Sequence, residues 1–77
     1  MERGPLIEIL KDMKNSDKEL DIILSGSSEE RSFEIRNVVE VEELKSAQGI
    51  RITTEQNYIW LDASHVSAAY QARTDLP

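Results

Sequence analysis

His65 is the single histidine of the chain, and Asp62 lies three residues before it. A carboxylate and an imidazole at that spacing can share a proton or offer two ligands to a metal ion. Neither chemistry is complete. A zinc site takes three or four ligands, and one histidine among scattered carboxylates is a poor set. A hydrolase needs a nucleophile, a base and an oriented site, and the glycines of a nucleophile elbow are missing. Gly4, Gly26 and Gly49 stand apart, so no phosphate-cradling loop is present. Without cysteine there is no thiol chemistry, disulfide scaffold or zinc ribbon. The expectation is a chain with no catalytic residue, no metal and no cofactor. Asp62 reads as a turn residue whose carboxylate accepts local backbone N–H groups. Glu40, Glu42, Glu43 and the pair Glu29–Glu30 read as solvated faces, lacking the spacing of a calcium loop.

The elements that position these groups follow from hydrophobic periodicity. Leu6, Ile9, Leu10 and Met13 fall at i, i+3, i+4 and i+7, with Ile7 widening the stripe. Pro5 suits the first helical turn, and Asn15-Ser16-Asp17 breaks the pattern. The spacing predicts a helix over 5–14 that caps a sheet. The period then changes to alternation. Leu20, Ile22 and Leu24 mark a first strand, and Ser25 to Glu30 a polar turn. Phe33, Ile35, Val39 and Val41 share one parity of a long second strand, bent near Asn37. Leu44 to Gly49 is a loop, Ile50 and Ile52 mark a third strand, and Glu55-Gln56-Asn57 a turn. Tyr58-Ile59-Trp60-Leu61 is a fourth strand, apolar on both faces, which suggests a central or interface position. Asp62 to His65 forms a short turn, a single turn of 3₁₀ helix. Val66 to Ala72 is a last strand, poor in bulk, and 73–77 a tail. One helix and five short strands make a mainly β chain able to curl into a small antiparallel barrel. The predicted core is Leu6, Ile9, Leu10, Met13, Leu20, Ile22, Leu24, Phe33, Ile35, Val39, Val41, Ile50, Ile52, Ile59, Leu61 and Val66.

With 77 residues the chain is one small domain, 1–77, with the helix at 5–14 and the barrel at 18–72. A domain this short buries roughly 60% of its unfolded surface and is marginal alone. With no disulfide or metal, association with further copies is the remaining common stabiliser. The final strand carries Ser67, Ala68, Ala69 and Ala72 with no lysine or proline to block pairing, so its edge is open to a neighbour. The expected oligomer contacts are Tyr58, Trp60, Ala69 and Tyr70. No apolar run approaches the ~20 residues of a membrane span. The opening Met1-Glu2-Arg3-Gly4-Pro5 holds no apolar leader core. A cytoplasmic protein without a membrane partner is expected.

A helix, five strands, a long bent second strand and a very short turn before the last strand together resemble Sm-like (Lsm/Hfq-type) proteins. The likeness is strongest over Asn57 to Ala69, an apolar strand, a short polar turn and a second strand, as in the second Sm motif. Phe33 to Ile52 is similar in outline to the first. The resemblance implies an N-terminal helix followed by a five-stranded, SH3-like small barrel. It also implies a homo-oligomeric ring whose loops bind short single-stranded RNA. The family places Asp and Asn in the loop after the bent strand, whereas this chain reads Glu43-Leu44-Lys45-Ser46-Ala47-Gln48-Gly49. The family's late Arg-Gly is replaced by Asp62-Ala63.

Charge bears on that implication. Fifteen acidic against nine basic residues leave a net of −6, which repels phosphate at long range. The cations Arg3, Lys11, Lys14, Lys18, Arg31, Arg36, Lys45, Arg51 and Arg73 form no stripe. A ring multiplies each residue, so Lys45, Arg51 and His65 are the expected RNA contacts. DNA is not expected. The alternative is the same oligomeric barrel acting as a protein-interaction or structural module with no nucleic-acid role.

Overall fold

The computed structural model describes residues 1–25 and 31–73. Helix α1 spans Arg3–Asp12, shifted toward the N-terminus from the expected 5–14. Pro5 does not fix the start, because no N–H of the first turn needs an intrahelical acceptor. The end is set by Asn15, whose φ of 57° is left-handed and whose N–H donates to Val38 O at 2.9 Å. Leu6, Ile7, Leu10 and Met13 are buried, so the amphipathic stripe faces the protein as predicted.

Six strands follow: β1 (Glu19–Leu24), β2 (Arg31–Arg36), β3 (Val38–Glu43), β4 (Gly49–Thr54), β5 (Tyr58–Asp62) and β6 (Val66–Tyr70). A 3₁₀ turn, η1 (Ala63–His65), joins the last two. They form two three-stranded antiparallel sheets, ordered β2-β1-β6 and β3-β4-β5. The protein is therefore mainly β with one N-terminal helix, and it has six strands in two sheets rather than five in one.

The difference arises at Asn37. Its φ of 57° breaks the expected long strand into β2 and β3, which pair in different sheets. Asn tolerates this left-handed conformation better than most residues with a side chain. The break also corrects the core. A bulge between Val38 and Glu40 inserts one residue into β3, and a one-residue slip exchanges the faces of a strand. Val38 is consequently 1% exposed and Val39, expected inside, is 42% exposed.

Leu20, Ile22, Ile35, Val41, Ile50, Ile52 and Val66 are buried as expected, joined by Ala63. Ile9, Leu24, Phe33, Ile59 and Leu61 are only partly buried against this cluster. The fourth predicted strand, β5, is the outer strand of its sheet: Ile59 and Leu61 turn toward the core, and Tyr58 and Trp60 are exposed. Thr54 tightens the hairpin before it, its Oγ1 accepting from Asn57 N at 2.8 Å and Gln56 N at 3.2 Å. β6 ends at Tyr70, before the expected Ala72. Most of the polar turn after Ser25, including Glu29–Glu30, and the tail beyond Arg73 lie outside the described residues.

Candidate interaction surface

The end of the β3-β4-β5 sheet is assembled from the loop after β3 and the η1 turn. Leu44 N donates to Gly49 O at 3.1 Å and closes the loop. A side chain at Gly49 would collide with Ser46 Oγ and press on Leu44, so a larger residue there would have to displace the Ser46 hydroxyl. Ala63 N donates to Gln48 O at 2.8 Å and fastens η1 to the same loop. Arg3, at the start of α1, completes the end. Its Nη1 donates to Ser46 O at 2.6 Å and Leu44 O at 3.2 Å, and its Nη2 meets Glu43 Oε2 at 3.4 Å. Loop carbonyls left by the tight turn thereby gain a cationic donor. Sequence reasoning counted Arg3 only among scattered cations, because a partner about forty residues away leaves no local signature.

Lys45 and His65 are exposed at this end, and the Ala63–Gln48 bond brings their two segments together. The His65 carbonyl accepts from Ser25 N at 2.8 Å. Asp62 behaves as predicted for a turn residue. Its Oδ1 accepts from Ser64 Oγ at 2.6 Å and Ser64 N at 2.9 Å. The Ser64 hydroxyl first, then its N–H, hold the carboxyl below its ordinary value, with a smaller pull from His65. No group of three or more His, Asp or Glu among the described residues is arranged to hold a metal ion.

Arg51 is placed differently. It points outward from the middle of β4, with Glu42 of β3 on one side and Trp60 of β5 on the other. Glu42 Oε1 takes its Nη2 at 3.0 Å, and its Nε is shielded from solvent without a partner. Arg51 is therefore tethered within the sheet face, not held at the loop end with Lys45 and His65. The rest of that face is Glu40 and Thr53 beside Tyr58. Glu40 is also held low by the Val41 N–H at 3.0 Å, then by the Lys14 ammonium at 3.3 Å.

β5 and β6 are each an outer strand of their sheet, as β2 and β3 are, and at the start of β6 the Val66 carbonyl accepts from the Met1 ammonium at 2.6 Å. Tyr58 and Trp60 are each 64% exposed, and their ring centroids lie 6.2 Å apart with planes tilted by 38°. On β6 Tyr70 is exposed, whereas Ala69 turns inward opposite Ile22, so what Ala69 offers a neighbour is backbone. A cleft of about 330 Å³ opens at the seam of the sheets, between β2 and the β4–β5 hairpin, and includes none of the expected site residues. No helix among the described residues is long and apolar enough to cross a membrane.

No family model, curated protein or solved structure matches the chain.

Proposed function

We propose that the protein is an oligomeric interaction module of Sm-like type, associating head to tail through β5 of one copy and β6 of the next. The observation that carries this reading is that two of the four outer strands, β5 and β6, are consecutive in the chain and separated only by η1. Two different edges on one subunit give a heterologous contact, which closes into a ring when the rotation permits. β6 carries no lysine or proline to guard it. In the small-barrel reading β2 and β3, joined directly at Asn37, would stand for the two arms of the family's bent strand, and β5 and β6 for the strands where a barrel would close. The reading includes no catalytic step. Light scattering on a sizing column at micromolar concentration is the test, and a sole species at 8.8 kDa overturns the proposal. Ala69→Pro removes a backbone donor from β6 and disturbs its pairing, and should dissociate the assembly. An oligomer indifferent to that change would place the contact at another edge.

A second reading, short single-stranded RNA at Lys45, Arg51 and His65, is favoured by the bond that draws the β3–β4 loop and η1 together. The Glu42 tether on Arg51 and the net charge oppose it. Titration with oligo-U and oligo-A at two salt concentrations decides. Binding through phosphates weakens as salt rises, and no binding at low salt removes the reading.

A further inference from the structure

The outward face of the β3-β4-β5 sheet has a composition that neither edge pairing nor RNA binding explains. Across β5, β4 and β3 run two rows, Trp60–Arg51–Glu42 and Tyr58–Thr53–Glu40. Exposed Tyr and Trp side by side are what the centres of protein interfaces collect. The face of an aromatic ring attracts cations. The cations bordering this face are already engaged by carboxylates: Arg51 is bound to Glu42, and Lys14 to Glu40. The strand that bears the rings lies between two carboxylates, Glu55 in the turn before it and Asp62 at its end. Neither has an ion-pair partner among the described residues.

We propose that this face docks an extended peptide segment of a partner protein bearing lysine or arginine, its cations set on Trp60 and Tyr58 and drawn in by Glu55 and Asp62. Charge complementarity selects the occupant. A net charge of −6 favours the approach of a basic segment and disfavours a nucleic acid or an anionic lipid surface. A base-stacking platform needs a positive groove along the phosphates, and here the flanks are acidic. Association of copies does not remove the face. Edge pairing uses backbone groups in the plane of the sheet, and the outward side chains of an added β6, Ala68 and Tyr70, would stand beside the rings rather than over them. The proposal therefore does not depend on the oligomer.

Trp60 is the only tryptophan, so its fluorescence reports on the site without a label. The intact protein is titrated with a ten-residue Lys-Thr repeat peptide, the matching Glu-Thr peptide and oligo-U. The expected result is a saturable change with the lysine peptide alone, weakening as salt rises. Trp60→Ala, followed by the anisotropy of labelled peptide, should weaken binding about two- to fivefold, the range of one exposed cation–π contact. Both rings are exposed, so this variant should keep the parent circular dichroism. Glu55→Gln should weaken binding in the same direction. Equal or tighter binding of the Glu peptide or oligo-U, an unchanged affinity in Trp60→Ala, or no response to the lysine peptide would overturn the proposal. Sizing of the same samples separates it from the assembly: an oligomer that ignores the peptide sinks only this inference, and a monomer that binds it sinks only the ring.

Discussion

Asn37 is where a small change should be most informative. Its φ of 57° turns the chain from one sheet into the other, and its carbonyl accepts from Glu55 N at 3.1 Å. The side chain adds little, a 3.5 Å contact from Nδ2 to Gln56 Oε1 at the surface. The cost of substitution is thus mainly conformational. A β-branched residue held in the left-handed region costs of order 1–3 kcal/mol. Taking about 2 kcal/mol for Asn37→Val, and about 4–8 °C per kcal/mol for a domain of this size, Tm should fall by about 8–16 °C. Stability of the whole domain is about 4–12 kcal/mol at 0.05–0.15 kcal/mol per residue, so the variant should still fold in the cold. Asn37→Gly reaches the same φ freely and should stay within about 0.5 kcal/mol of the parent, its easier turn offset by a looser unfolded chain. Thermal melts followed by circular dichroism at one protein concentration give both values. Equal Tm for the valine and glycine variants would refute the argument, because it would mean the corner is not left-handed.

Two further outcomes test the core and the η1 turn. Ile35 is 0% exposed and faces Leu20 across β1, so Ile35→Ala should cost about 2–5 kcal/mol, a large part of the total, as a shift of the urea midpoint would show. Asp62 has its carboxyl lowered in the folded state by Ser64, so its contribution to stability is present above the unfolded carboxylate value and is lost as pH falls through the folded one. The Tm gap between parent and Asp62→Ala should therefore narrow as pH falls below about 4, whereas a gap that widened there would contradict the assigned hydrogen bonds.

Much of the fold was legible because it rests on local periodicity. The stripe of Leu6, Leu10 and Met13 and the alternation of Leu20 and Ile22 each read directly as a buried face. Asp62 was legible for the same reason, since its partner is two residues away. The second strand was not. Parity across Phe33, Ile35, Val39 and Val41 is a rule for one unbroken strand, and it fails when a left-handed residue and a bulge intervene. The pattern Val38-Val39 held the hint, but which valine faces inward is decided by pairing with Thr54 on a distant strand. The outer position of the strand bearing Trp60 and Tyr58 was not legible, because apolar residues on both faces suit a central strand equally well. Arg51 and Arg3 depend on long-range partners and could be named only as cations.

The open edges and the aromatic face make demands that differ in kind. An edge is a row of backbone N–H and C=O groups in the plane of the sheet, and its occupant is any strand with free groups at the same spacing. Side chains select little there, and the inward turn of Ala69 leaves its backbone as what that position presents. The face stands perpendicular to that plane, and its occupant is chosen by ring quadrupoles and carboxylates. The proposed pairing of copies would thus draw on geometry and the proposed basic partner on chemistry, without the two contacts competing for an atom. The two substitutions divide along that line. Ala69→Pro alters a backbone donor and leaves the face intact, and Trp60→Ala alters the face and leaves every ladder group of β5 in place. A protein in which either change abolished both behaviours would have a single surface where this geometry provides two.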